Sequence, residues 1–175
     1  MIRVSYTLIN LWVQGKHDEM VAYYMGAKTE PTAAMQRGKD YDSYITDFIQ
    51  ANSRLPDSLG GIQLLSPMNQ GRLDFVDAEN DIKFVFVPDL IDNKILYEFK
   101  TGVTDINQYL SAMQIPSYLY LLNKLGIEID KAYLINEKQG WYMIANTEEI
   151  RERGRAWLYD NTLAIRAYFK EMGLE

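Results

Sequence analysis

Val87-Pro88-Asp89-Leu90-Ile91-Asp92-Asn93-Lys94-Ile95-Leu96-Tyr97-Glu98-Phe99-Lys100 is the stretch of this 175-residue chain on which its fold turns. An apolar run closes on Pro88-Asp89, a polar turn follows at Asp92-Asn93-Lys94, and a second apolar run carries Glu98 and Lys100. Successive strand side chains point to opposite faces, so Glu98 and Lys100 share one face while Phe99 enters the other layer. A turn at 92–94 folds the two runs into a hairpin and brings Asp89 alongside Glu98. Two carboxylates and a lysine then meet on an otherwise apolar sheet. Carboxylates so close repel one another and need a cation, and oxygen ligands on a rigid strand pair suit a hard one, Mg²⁺ or Mn²⁺. A duller reading fits the same residues: Asp89 opens a turn, and Glu98 and Lys100 are the solvated face of an edge strand.

The flanking segments weigh against the duller reading. Downstream, Thr101-Gly102 ends the strand, and Met113, Tyr118, Leu121, Leu122 and Leu125 recur at helical spacing. That spacing sets Gln114 and Tyr118 one turn apart on one face. Tyr118 reads equally well as a core aromatic, but the Gln114 amide is harder to explain as core, because it needs hydrogen-bond partners if buried. Upstream, Arg37-Gly38-Lys39-Asp40-Tyr41-Asp42 opens another helical stretch, with Tyr41, Tyr44, Ile45 and Phe48 at helical spacing.

In this order the elements resemble the PD-(D/E)xK nuclease superfamily, in its RecB-like and lambda-exonuclease-like branch. The residues that carry the likeness are Pro88-Asp89, eight residues, Glu98-x-Lys100-Thr101-Gly102, and then Gln114-x-x-x-Tyr118. RecB-like members carry Gly-x-x-x-His upstream, the His being a metal ligand. This chain has Gly38 and then Asp42 there, an acid in the manner of the lambda-exonuclease-type members. The Ser5-Tyr6-Thr7 opening is similar to the start of RecB-like domains, so the likeness spans roughly residues 3–145.

The resemblance implies an α/β fold with a restriction-endonuclease-like core, a central mixed β-sheet flanked by helices, in a single domain over residues 1–175. It implies a Mg²⁺- or Mn²⁺-dependent deoxyribonuclease, an exonuclease of recombination, repair or phage replication. Asp89, Glu98 and Asp42 would hold the metal, with the Phe99 main-chain carbonyl as a fourth ligand. Lys100 would orient or deprotonate the attacking water. Gln114 would position a phosphate or the lysine, and Tyr118 would pack or hydrogen-bond beside them. Expected partners are DNA ends or single strands, a replication or recombination protein, and further copies of the chain. A catalytically inactive nuclease-fold module that binds DNA or a protein is the alternative, and an accidental motif on an interaction domain is a third.

Composition bounds these readings. A chain of 175 residues, 47% hydrophobic and 13% aromatic, fits one globular domain with an adequate core. With no Cys, disulfides and iron–sulfur clusters are excluded. That separates the chain from cluster-bearing CRISPR-associated relatives of the superfamily and fits a reducing cytoplasm, microbial or of a virus-infected host cell. Met1-Ile2-Arg3 leads into an amphipathic pattern, so no leader peptide and no membrane span are expected. With no Cys and no Gly-x-Ser-x-Gly elbow, a nucleophilic triad has no candidates. The single His, His17, sits in a polar Gly-Lys-His-Asp segment and reads as a surface residue. Metal-assisted attack by water remains.

The net charge of −6 runs against a protein of nucleic acid. Residues 61–100 hold seven acids against four bases, so half of the excess lies around the candidate site, where bound cations would offset it. Modest, metal-dependent DNA affinity with a shallow salt slope is the expectation. Tyr41, Tyr44 and Tyr109 are candidates for stacking on unpaired bases, with core packing as the competing role.

The pattern predicts helices over 4–25 and 33–52 and short strands over 61–66 and 71–77. A polar turn at 77–81 leads into a hairpin of 82–91 with 95–100. A helix over 105–125 closes at Gly126, strands follow at 132–136 and 140–145, and a helix capped at Asn146 or Thr147 runs to about 172.

Overall fold

The computed structural model describes residues 1–27, 30–102 and 105–174. Ile2–Ser5 forms strand β1, burying Ile2 and Val4 on one face. Ser5 ends the strand and caps helix α1 (Tyr6–Val13), its Oγ accepting from the Leu8 N–H at 3.2 Å. Gly15, at φ +71°, turns the chain into α2 (His17–Tyr24). The helix expected over 4–25 is therefore a strand and two short helices. Alternate burial of Ile2 and Val4 marks the strand, a period-2 signal too brief to stand out beside the helical one.

Helix α3 (Ala33–Asn52) keeps its predicted limits, with Thr32 as its cap. A 3-10 turn at Asp57–Leu59 precedes β2 (Met68–Asn69), β3 (Leu73–Asp77) and β4 (Ile82–Phe86). Residues 61–66 form no strand, only an isolated bridge between Arg54 and Gln63. The buried Asp92 carboxylate accepts the Leu65 and Ser66 N–H groups at 2.6–3.1 Å, so a side chain satisfies backbone that a ladder would otherwise serve.

Strands β5 (Leu90–Asp92) and β6 (Ile95–Lys100) make the predicted hairpin, with Leu90 opposite Tyr97 and Asp92 opposite Ile95. Asn93 and Lys94 both take left-handed φ, +46° and +63°, the requirement of the tightest hairpin turns. The run 82–91 is not one strand, however. It breaks at Val87-Pro88-Asp89, because Pro88 has no N–H to give a ladder. The two pieces enter different sheets. One orders β1-β4-β3, with β1 parallel to β4 and β3 antiparallel to it.

The other sheet orders β2-β5-β6 and continues through β7 (Lys131–Asn136) and β8 (Gly140–Ala145). Strand β7 runs parallel to β6, Glu98 beside Leu134 and Lys100 beside Asn136. The crossover between them is two helices, α4 (Ile106–Ser111) and α5 (Gln114–Lys124), divided where Ala112 is extended at ψ 145°. Helix α6 (Glu148–Glu171), capped by Thr147, packs on α5. At Gly154 a β-carbon would collide with the Pro116–Ser117 backbone, so glycine is what lets the two helices meet. Among the described residues no helix is long and apolar enough to cross a membrane.

Two apolar layers enclose the second sheet. Leu96, Ala132 and Leu134 pack with Leu119, Leu122, Leu158 and Ile165 beneath α5 and α6. Tyr97, Phe99 and Ile135 pack with Ile45 and Ile49 of α3 on the opposite face. Strand β6 thus alternates as its sequence requires, and Glu98 lands in the α5 layer, fully buried.

Candidate active site

Continuing the hairpin register by one residue sets Asp89 opposite Glu98, and the hydrogen bonds follow it. The Asp89 N–H donates to Glu98 Oε1 at 3.2 Å, and the Phe99 N–H donates to Asp89 Oδ2 at 2.8 Å. The two acids replace a rung of the ladder that Pro88 interrupts. Lys100 Nζ stands 3.8 Å from Glu98 Oε2 and donates to Gln114 Oε1 at 2.7 Å. The other end of that amide donates to the Tyr118 hydroxyl at 3.3 Å, one helical turn on. Lys100 therefore orients Gln114, and Gln114 and Tyr118 hold Lys100 beside the carboxylates. The half-buried amide has its partners, as its chemistry demands.

The electrostatics are uncomfortable. Burial, and then the neighbouring Asp89 charge, push the Glu98 carboxyl well above the ordinary range, against the pull of Lys100. Burial raises Asp89 too, although Lys100 and the Phe99 N–H draw it back. Asp42, reaching in from α3, is raised to about 6 by burial and then by Asp89. Two of the acids feel Asp89, and all three feel the single Lys100. Among the described residues, no three His, Cys, Asp or Glu side chains converge tightly enough to hold an ion as they stand. Asp42 lies at the edge of the pair and does not complete a three-carboxylate cluster with it.

The donor set nevertheless fits a hard divalent cation. Glu98 Oε2 is buried and has no hydrogen-bond partner, an oxygen desolvated and left with only a lysine at salt-bridge distance. All the donors are oxygen, the preference of Mg²⁺ and Mn²⁺. Asp89 is tied to the Phe99 N–H, so the residue expected to offer a carbonyl is fixed beside the pair.

One positioning residue escaped the sequence reading. Gln70 takes a left-handed φ of +50°, donates its N–H to the Asp89 carbonyl at 2.9 Å, and donates its amide to Asp89 Oδ1 at 3.1 Å. Nothing in the spacing of residues 70 and 89 announces that clamp. Tyr6 also borders the site, its hydroxyl pushed upward by burial and then by the Glu98 charge. The stacking candidates divide. Tyr109 donates to the Thr101 carbonyl at 3.3 Å and packs on the core, while Tyr44 is half exposed beside Phe48. Tyr41 packs partly on the α3 layer. His17, expected at the surface, is partly buried, stacked on Trp12 at 4.5 Å and tilted against Tyr168.

With that geometry in view, solved structures place the architecture. A protein of Eubacterium rectale described as a "Putative exonuclease" superposes with TM-score 0.64 at 12% identity, over 98% of this chain and 82% of its own. The two chains share a fold. SSO0001 superposes at TM-score 0.54 and 14% identity, over 93% of this chain and 76% of its own. An alkaline exonuclease from Laribacter hongkongensis reaches TM-score 0.49 at 16% identity, over 98% of this chain and 93% of its own. No family model and no curated protein matches the sequence. At such identities the likeness is one of fold, and the mixed sheet flanked by helices is the arrangement that the motif order implied.

Proposed function

We propose that this chain is a divalent-metal-dependent deoxyribonuclease, acting as a single domain and cutting DNA phosphodiester bonds, most plainly as an exonuclease. The observation that carries the reading is the buried Asp89–Glu98 pair with an unpartnered Glu98 oxygen and Lys100 beside it, on a nuclease fold. Asp89 and Glu98 would hold the cation, with the Phe99 carbonyl and Asp42 at its edge. When bound, such an ion polarises the phosphoryl oxygens and makes water a better nucleophile.

The chain's own groups do the rest. Lys100, held by Gln114, points an ammonium at the carboxylates, where it can orient the attacking water and offset charge growing on the phosphate. Gln114 and Tyr118 limit the directions the lysine can take. Gln70 prevents Asp89 from turning away from Glu98. The buried position of Glu98 excludes bulk water from one side of the pair. DNA is the substrate this chemistry suits, with recombination, repair or phage replication as the setting.

Labelled single- and double-stranded DNA, incubated with Mg²⁺, with Mn²⁺ and with EDTA, tests the reading. Cleavage is expected with either metal and none with chelator. Cleavage that persists in EDTA, or that survives Lys100→Ala unchanged, would overturn the assignment of these residues. A metal-raised melting temperature without cleavage would favour the non-catalytic binding module.

A further inference from the structure

Parallel pairing of β6 with β7 sets Lys100 beside Asn136, so the turn that leaves β7 stands next to the lysine. The buried Asn136 side chain shapes that turn, its Oδ1 accepting the Lys138 and Gln139 N–H groups at 2.9 and 3.0 Å. Across from it lies the first half of α3, where Arg37 and Tyr41 fall one turn apart. Between the two is a cavity of about 180 Å³, lined by Arg37, Tyr41, Lys100, Asn136, Glu137 and Lys138 among others. One water occupies roughly 30 Å³ of liquid, so several waters or one tetrahedral anion fit the space.

Three cations face one acid there. Lys100 is engaged by Gln114, but Arg37 and Lys138 form no ion pair and no side-chain hydrogen bond among the described residues. The Tyr41 hydroxyl is buried and has no hydrogen-bond partner either. A phenol keeps its proton at neutral pH, so this hydroxyl offers a donor to the cavity it lines. An exposed guanidinium and ammonium that no acid engages, with a buried phenol that has no partner, line one small cavity and suit a tetrahedral oxyanion.

We propose that this cavity is a second phosphate subsite, holding the backbone phosphodiester next to the one at Lys100. The inference rests on the nuclease reading for its substrate but makes its own demand on Arg37, Tyr41 and Lys138. It gives an acidic chain a local grip on DNA that needs no metal. It also fixes the substrate's register, because a strand seated there can advance only by whole phosphates.

Binding of a 3′-labelled oligothymidylate to the full chain in EDTA, followed by fluorescence anisotropy across a salt series, is the test. Arg37→Gln with Lys138→Gln is expected to weaken binding about tenfold and to flatten the slope of log K against log salt by about 0.7, the share of one single-strand phosphate. Tyr41→Phe should weaken binding less, without changing the slope. Lys124→Gln with Lys170→Gln removes the same charge elsewhere and should change little. A single neutral methylphosphonate, walked along the strand, should weaken the wild type at one position and leave the double variant unaffected there. A 5′-phosphate should add nothing. Absence of binding, equal losses in the control pair, an unchanged slope, or a preference for the 5′-phosphorylated end would each overturn the proposal. Cleavage with metal by variants that bind like wild type would sink the subsite and spare the nuclease. Binding that behaves as expected in a chain that never cuts DNA would do the reverse.

Discussion

Strand β6 has two faces that obey the same alternation and meet opposite fates. Ile95, Tyr97 and Phe99 face α3, where Ile45, Ile49, Leu55 and Leu59 enclose them. Leu96, Glu98 and Lys100 face α5, and there the layer changes after one residue from apolar to charged. Burying an apolar ring stabilises the fold, whereas burying a carboxylate beside a second one works against it. The first face is explained by folding alone. The second retains two raised acids and an idle oxygen, an arrangement a cation would relieve and stability would not select. Under the proposed function, the difference marks which side of the sheet serves chemistry.

Exchanging that chemistry for neutrality is the sharpest way to break the comparison. Glu98→Gln is expected to reduce DNA cleavage on the order of 10³-fold, since under the proposed function several kcal/mol of metal-derived stabilisation would depend on it. The same change should raise the melting temperature of the metal-free protein at pH 8. A fall in both would mean that Glu98 is structural. Phe99→Ala, one residue along, should do the opposite: lose about 3–5 kcal/mol of stability while the remaining folded protein keeps its turnover number. Denaturant unfolding and active-fraction kinetics separate the two.

A gentler pair of changes tests how the charged face is held. Gln70→Leu and Gln114→Leu each remove one amide, from Asp89 and from Lys100 respectively. Roughly tenfold losses in kcat are expected, each near the 1.4 kcal/mol of one charge-assisted hydrogen bond. KM should stay within about twofold for both, because neither amide is assigned to hold the substrate. A change confined to KM would move that residue from positioning to binding.

The smallest effect is a pH dependence of stability without metal. Asp42 rises from 3.8 to about 6, and Glu98 and Asp89 shift in the same direction, all through burial first. Each therefore keeps a proton in the fold that the unfolded chain has already released. Their contribution is full below the unfolded value and is lost as pH rises through the folded one. Melting temperature in EDTA should thus decline between pH 4 and 7, the decline should shrink in Glu98→Gln, and Mn²⁺ at pH 7 should recover it. A metal-free melting temperature that climbs over that window would contradict the uncompensated pair.

Several elements were legible because their signals are local. Helix α3 from Thr32, the β7 and β8 strands and the Thr147-capped α6 stand where periodicity and caps put them. The β5–β6 hairpin was legible for the same reason, with a polar turn between apolar runs, and it carried Asp89, Glu98 and Lys100 together. Gln114 and Tyr118 followed from helical spacing, although the expected helix over 105–125 is divided ahead of Gln114. The split of 82–91 between two sheets was less visible. Pro88 hinted at it, but besides β3 the strand Ile82–Phe86 pairs with β1, some eighty residues earlier, and no short-range pattern names a partner at that distance.

By itself, then, the sequence determined which side chains share a face and which residues turn the chain, because alternation and backbone preference act over a few residues. Tertiary structure alone decided that Gln70 clamps Asp89, that Asp42 stays at the edge of the pair, and that Lys138 and Lys100 line one cavity. Those relations depend on pairing register and helix packing between distant segments. Their cause is the burial of whole apolar layers, which no single stretch of the chain contains.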